Sequence, residues 1–160
     1  MAINTKIAAI DFEVAKDIIT NDDLTKILDT SDEWITTRTG IKERRIISGE
    51  QSSTDLGITV AKKILERTSF STEKIDLIIA ASSAPEDIYP SVACLIQNAI
   101  KAKNAAAFDL RAACAGLLYS LNTAKAFIKS GMYKNILIVA TDATTKYTDW
   151  TDRSTCRAFA

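Results

Sequence analysis

The stretch Phe108-Asp109-Leu110-Arg111-Ala112-Ala113-Cys114-Ala115-Gly116-Leu117-Leu118-Tyr119-Ser120 decides the fold. Ala105–Leu110, which runs into it, is small and apolar and has the length of a buried strand. Beyond it Leu117, Leu118, Leu121, Ala124 and Ile128 recur at helical spacing, and Gly131 stands where a C-cap belongs. Between strand and helix sits a cysteine flanked only by alanine and glycine. Residues that small let the backbone turn sharply and let a bulky substrate reach the sulfur. A thiol at a helix N-terminus faces unpaired N–H groups and the positive end of the helix dipole, and both favour thiolate. Two readings stay open on this pattern: a presented nucleophile, or a structural cysteine in a tight junction.

Outward from that junction, strands alternate with helices. Ile75–Ala81 is a continuous β-rich run without polar alternation, which predicts a buried parallel strand. Ser82–Tyr89 reads as loop, Pro90 is placed to open a helix over Ser91–Ile100, and Asn135–Ala140 predicts a further buried strand. Ser53–Arg67 carries Leu56, Val60, Ala61, Ile64 and Leu65 at the spacing of an amphipathic helix. Thr5–Ile10 is a short apolar strand candidate. This alternation predicts an α/β architecture with a mostly parallel sheet flanked by helices, whose ligands sit at the carboxyl ends of the strands. Cys114 follows directly from such an end, while Cys94, among Val92, Leu95 and Ile96, reads as inert core.

Composition narrows the function classes. The 160 residues are 47% hydrophobic and 25% charged, with Lys+Arg and Asp+Glu balanced at 20 each. That balance provides no field for nucleic acid or an anionic membrane surface. No apolar run reaches the roughly 20 residues of a membrane span, and the N-terminus lacks a signal-peptide pattern. Three cysteines at irregular spacing make neither a disulfide framework nor a zinc site, so a reducing cytoplasm is expected and no metal is implied. Histidine is absent, so no imidazole in these residues can act as a base.

The most distinctive surface stretch is Thr30-Ser31-Asp32-Glu33-Trp34-Ile35-Thr36-Thr37-Arg38-Thr39-Gly40. Thr30 and Glu33 have capping-box spacing, and Gly40 supplies a stop. Trp34 and Arg38 are i,i+4 and share a face. An aromatic plate beside a guanidinium suits a nucleotide, with the ring on the base and the fork on phosphate. A tryptophan packed on the core under an arginine stem would give the same spacing. Lys42-Glu43-Arg44-Arg45 follows and reads as a solvated edge, with a phosphate site as the alternative. Tyr89 ends a loop, as surface or interface plug, and a second tryptophan and an isolated arginine occur in Asp149-Trp150-Thr151-Asp152-Arg153-Ser154-Thr155-Cys156.

Three separated stretches together resemble β-ketoacyl-acyl-carrier-protein synthase III, in the family's order and intervals. They are Asp29-Thr30-Ser31-Asp32-Glu33-Trp34-Ile35 with Arg38-Thr39-Gly40-Ile41-Lys42-Glu43-Arg44, then Ala107-Phe108-Asp109 with Ala112-Ala113-Cys114-Ala115-Gly116, then Thr151-Asp152-Arg153-Ser154-Thr155. The resemblance implies a thiolase-like fold of two similar α/β halves, of which residues 1–160 cover the N-terminal one, with the C-terminal half absent. It implies that Cys114 takes an acyl group from acyl-CoA, and that malonyl-acyl carrier protein then loses CO2 and attacks the thioester, initiating fatty-acid synthesis. The Cys114 N–H would form part of an oxyanion hole. Trp34 and Arg153 match positions that sandwich the CoA adenine, Arg38 one that reaches its phosphates, and Tyr89 one that crosses the family homodimer to close the partner's acyl pocket. Acyl-CoA is then substrate, and no cofactor is implied.

Departures from the family pattern bear on activity. Ala9-Ile10-Asp11-Phe12-Glu13-Val14 lacks the Gly and Pro turn that normally follows the first strand, and Cys156-Arg157-Ala158-Phe159-Ala160 breaks the Gly-Asp-Gly-Ala-Gly pattern. The histidine and asparagine that support malonyl decarboxylation are missing. The expectation is therefore a chain with a nucleophile that cannot condense alone. The competing expectation, from another class, is a non-catalytic truncated or frameshifted product acting at most as an interaction module.

Overall fold

The run Leu77-Ile78-Ile79-Ala80-Ala81 forms a strand buried at every position. Burying each of its large aliphatic side chains contributes roughly 1.5–3 kcal/mol, and a strand apolar on both faces needs helices on both. The computed structural model describes residues 4–159, with side chains through residue 156. In chain order its elements are β1 (Asp17–Thr20), α1 (Asn21–Thr25), α2 (Asp32–Thr39), β2 (Glu43–Ile46), α3 (Ser53–Thr68), β3 (Leu77–Ala81), α4 (Val92–Ile100), β4 (Ala106–Leu110), α5 (Gly116–Lys129), β5 (Ile136–Ala140) and α6 (Arg153–Phe159). They form two compact units, one from Met1–Glu13 and Ser53–Asp142, the other from Val14–Ser52 and Ala143–Ala160.

In the first unit β3 lies between β4 and β5, all parallel. Side chains alternate across the sheet, as the pleat requires. Ile78 and Ala80 meet Ala61 of α3 and Val92, Ala93 and Ile96 of α4 in one apolar cluster. Leu77 and Ile79 meet Ala124 and Phe127 of α5, with Phe108, Tyr133 and Ile138, in another. The α/β expectation holds here. The register sets Leu110 and Ala140 level with Ala81, so all three carboxyl ends share one edge.

In the second unit β1 and β2 pair antiparallel. Asn21, fully buried, ties this unit together. Its amide nitrogen donates to Asp32 Oδ1 at 2.7 Å and to the Ile41 carbonyl at 2.8 Å, while its oxygen accepts from Arg44 Nη1 at 2.9 Å. The expected solvated edge at Lys42–Arg45 holds for Lys42, Glu43 and Arg45, which are exposed, and is corrected at Arg44, which is buried in β2 with its guanidinium donating to the Asn21 amide oxygen.

Three other local expectations also change. Thr5–Ile10 forms no strand; it stays irregular with Ile7 and Ile10 exposed, and Asp11 moors it through Arg67 (2.9 Å) and Lys63 (3.5 Å) of α3. Ser91, not Pro90, starts α4, because its Oγ can accept from Cys94 N at 3.3 Å. At α2 the N-cap is Ser31, whose Oγ accepts from Trp34 N at 3.1 Å, rather than Thr30. The stop at Gly40 stands: its φ of +74° is a left-handed conformation that glycine adopts without strain.

Candidate active site

Cys114 stands on a single 3₁₀ turn, Ala113–Ala115, at the carboxyl end of β4 and directly before α5. Its side chain is exposed, the only one of the three cysteines in that state; Cys94 is half-buried and Cys156 buried. The inert-core reading of Cys94 therefore holds only in part. The Cys114 turn is tight for identifiable reasons. Ala113 has φ +45°, a left-handed conformation that costs an L-residue roughly 1–2 kcal/mol. Gly116 passes so close to β3 that a Cβ there would lie 3.1 Å from the Ala81 Cβ. The Ala115 and Gly116 N–H groups donate to the carbonyls of Ala112 and Ala113, closing the turn.

Carboxylates pin the loops around this edge. Asp109 Oδ1 accepts from Ala93 N at 2.7 Å and Oδ2 from Val92 N at 2.9 Å, which caps α4 from the strand that leads to Cys114. Asp142, just beyond β5, accepts from Ser83 N at 2.7 Å and from Ala84 N and Ser82 Oγ at 3.2 Å. Glu86 accepts from Ser53 N at 2.7 Å and Ser53 Oγ at 3.0 Å at the start of α3. The loop from Ser82 to Ser91 is thus held at both ends and in its middle. Tyr89 projects from it, 88% exposed and joined to Pro90 by a cis peptide. Sequence reasoning missed these clamps; the available signal was an aspartate interrupting the otherwise apolar β4.

Trp34, Arg38 and Arg153 belong to the second unit and come together there. The Arg38 Cζ lies 4.4 Å from the Trp34 ring centroid, and the Arg153 Cζ lies 4.5 Å from it. Trp34 is in the first turn of α2, Arg38 in its last, and Arg153 opens α6. The turn before α6 is set by short polar side chains: Asp152 accepts from Ser154 N at 2.8 Å, and Asp149 from Thr151 N at 2.9 Å. The Thr151 and Ser154 hydroxyls, each donating to its aspartate at 2.6 Å, and then these backbone bonds hold both carboxyls below the usual carboxylate range. Burial pushes the Cys156 thiol above its ordinary value; its Sγ lies 3.2 Å from the Asp149 carbonyl. Among the described residues no group of three or more His, Cys, Asp or Glu could hold a metal, and no helix is long and apolar enough to cross a membrane.

An exposed cysteine thiolate can form and break thioesters without an imidazole, since exchange between a thiolate and a thioester needs little proton transfer. A stacked indole and guanidinium pair can receive a nucleotide base. The profile of the family described as 3-oxoacyl-[acyl-carrier-protein (ACP)] synthase III matches residues 108–160. The chain is 53% identical over 146 residues to the β-ketoacyl-[acyl-carrier-protein] synthase III of Clostridium acetobutylicum, covering 91% of this chain and 45% of that protein. Over 157 residues it is 48% identical to the same enzyme of Aquifex aeolicus, covering 98% of this chain and 50% of that protein. The crystal structure of the Aquifex aeolicus enzyme superposes with a TM-score of 0.85 at 50% identity, covering 90% of this chain and 46% of that one. The priming β-ketosynthase of the R1128 polyketide pathway superposes with a TM-score of 0.86 at 31% identity, covering 91% and 43%. The chain spans about half the length of the curated relatives it matches.

Proposed function

The chain belongs to the β-ketoacyl-acyl-carrier-protein synthase III family across the half of that enzyme it spans, and from that premise we propose that Cys114 is the acyl acceptor of a decarboxylative condensation. The observation that carries this reading is an exposed sulfur on a strained turn at the carboxyl edge of a parallel sheet. The Cys114 thiolate attacks the carbonyl carbon of an acyl-CoA thioester. The bond from that carbon to the CoA sulfur breaks, and CoA leaves as a thiolate that takes a proton from solvent. The developing oxyanion accepts from the Cys114 N–H. Malonyl-acyl carrier protein then loses CO2, and its carbanion attacks the acyl-cysteine and expels the Cys114 thiolate.

Substrate recognition falls to the second unit. Trp34 and Arg153 receive the adenine of CoA, and Arg38 reaches its phosphates. A base between indole and guanidinium needs about 7 Å, twice a van der Waals contact of ~3.5 Å. Arg153 at 4.5 Å from the ring centroid therefore slides outward as the base enters. Tyr89 closes an acyl pocket across a homodimer, and the protein works in the cytoplasm. Residues 1–160 contain no histidine, so on their own they carry out acyl transfer and not condensation. The test is stoichiometric: free CoA released from acetyl-CoA reaches one equivalent per chain and stops, and Cys114→Ala releases none. Release without Cys114 would exclude this assignment.

A further inference from the structure

Asp109 is the one acidic residue in β4, half-buried, and it turns toward α4 rather than solvent. Each of its oxygens takes one backbone N–H in the first turn of α4, at 2.7 and 2.9 Å. The Ser91 Oγ takes the next, at 3.3 Å. Tyr89 and Pro90 lie immediately before that turn, and the Cys114 turn immediately follows the strand that carries Asp109. One carboxylate therefore ties the element that presents Tyr89 to the element that presents the sulfur. Bonds from a charged acceptor to backbone N–H groups are short and stronger than neutral ones, so this link is stiff.

We propose that Asp109 is a positioning residue for acyl transfer, fixing the Cys114 turn relative to the Tyr89 loop and thereby setting which acyl chains fit. The proposal rests on the reading of Cys114 as acyl acceptor. Asp109 touches neither substrate nor sulfur; it acts through backbone. Each copy of the chain carries the same link, so a pocket closed by Tyr89 of a neighbouring copy is affected as its own would be. Asp76 provides an internal control. It also accepts two consecutive backbone N–H groups, from Lys134 and Asn135 at 2.8 Å, both on its Oδ2 and in the loop ahead of β5, at the opposite end of the sheet from Cys114.

The experiment compares Asp109→Asn with Asp76→Asn in the full chain. Acyl loading of Cys114 is read by mass spectrometry with acetyl-, butyryl- and hexanoyl-CoA, and the alkylation rate of Cys114 with iodoacetamide is read in parallel. Asp109→Asn is expected to shift the acetyl-to-hexanoyl ratio and the alkylation rate each at least threefold, while Asp76→Asn leaves both within a factor of 1.5. Asp109→Glu, which keeps the charge but moves it by one methylene, is the second variant and shifts the same two readouts less. Equal effects of the Asp109 and Asp76 substitutions, or no change from Asp109→Asn and Asp109→Glu, would overturn the proposal. Absent acyl loading in the unaltered chain would instead overturn the acyl-acceptor reading, and the alkylation rates would still decide the role of Asp109.

Discussion

The guanidinium carbon of Arg153 lies 4.5 Å from the centre of the Trp34 ring, although the two residues stand far apart in the sequence. The contact joins the first turn of α2 to the start of α6 within one unit, and Arg38 adds a second cation at 4.4 Å from the same ring. Such contacts contribute roughly 0.5–2 kcal/mol each, a loss small enough for an entering base to offset.

Trp34→Ala should therefore weaken acetyl-CoA binding about 10- to 100-fold, the equivalent of ~1–3 kcal/mol of base stacking. Acetyl-pantetheine, which has no adenine, should bind both forms equally. Titration calorimetry with the two thioesters checks this. Equal weakening for both would remove the adenine from the Trp34 assignment.

The backbone of Ala113 predicts a trade between stability and chemistry. At φ +45° glycine carries no Cβ penalty. Ala113→Gly should leave the unfolding free energy read by urea titration unchanged or raise it by up to ~1 kcal/mol. Acyl loading at Cys114 should fall at least fivefold, about 1 kcal/mol in the barrier, because the turn then samples other conformations. Equal or faster loading would show that the strain plays no part in presenting the sulfur.

Asn21→Ala removes the amide that bonds Asp32, Ile41 and Arg44 in a buried setting. Losing bonds to charged groups there costs roughly 2–4 kcal/mol. The measurement is hydrogen exchange at α2 and β2, where protection should fall, while β3 and β4 stay protected. Uniform loss over both units would contradict a hub confined to the second one.

The three cysteines should react in order of exposure, Cys114 first and Cys156 last. The Cys156 thiol is raised above its ordinary 9.0, first by burial and then by the acidic Asp149 and Asp152. A raised thiol favours the folded state fully below the unfolded value and loses that advantage as pH climbs toward the folded one. Stability should therefore decline above about pH 9, and Cys156→Ser should flatten that decline. An unchanged pH profile in Cys156→Ser would contradict the burial effect.

Much of this was legible in the residues because the signals were local. The unbroken apolar run at Leu77–Ala81 required cover on both faces, and small residues around Cys114 required a tight turn. The Trp34–Arg38 face followed from helical spacing. What escaped depended on partners distant in sequence. Arg44 looked like part of a charged edge because partners that receive its buried guanidinium, Asn21 and the Ile19 carbonyl, lie more than twenty positions earlier. Ile7 and Ile10 looked like a strand, but no neighbouring strand among the described residues takes up their backbone groups. Asp109 appeared merely as a polar break, since its role lies in the α4 amides it caps.

The most direct measurement is peptide-mapped mass spectrometry of the chain after acid quench from acetyl-CoA. The account predicts one acetyl group, on the peptide containing Cys114, lost on hydroxylamine treatment as a thioester should be and absent in Cys114→Ser. Acetyl found on Cys94 or Cys156 instead, or none on any cysteine, would contradict it.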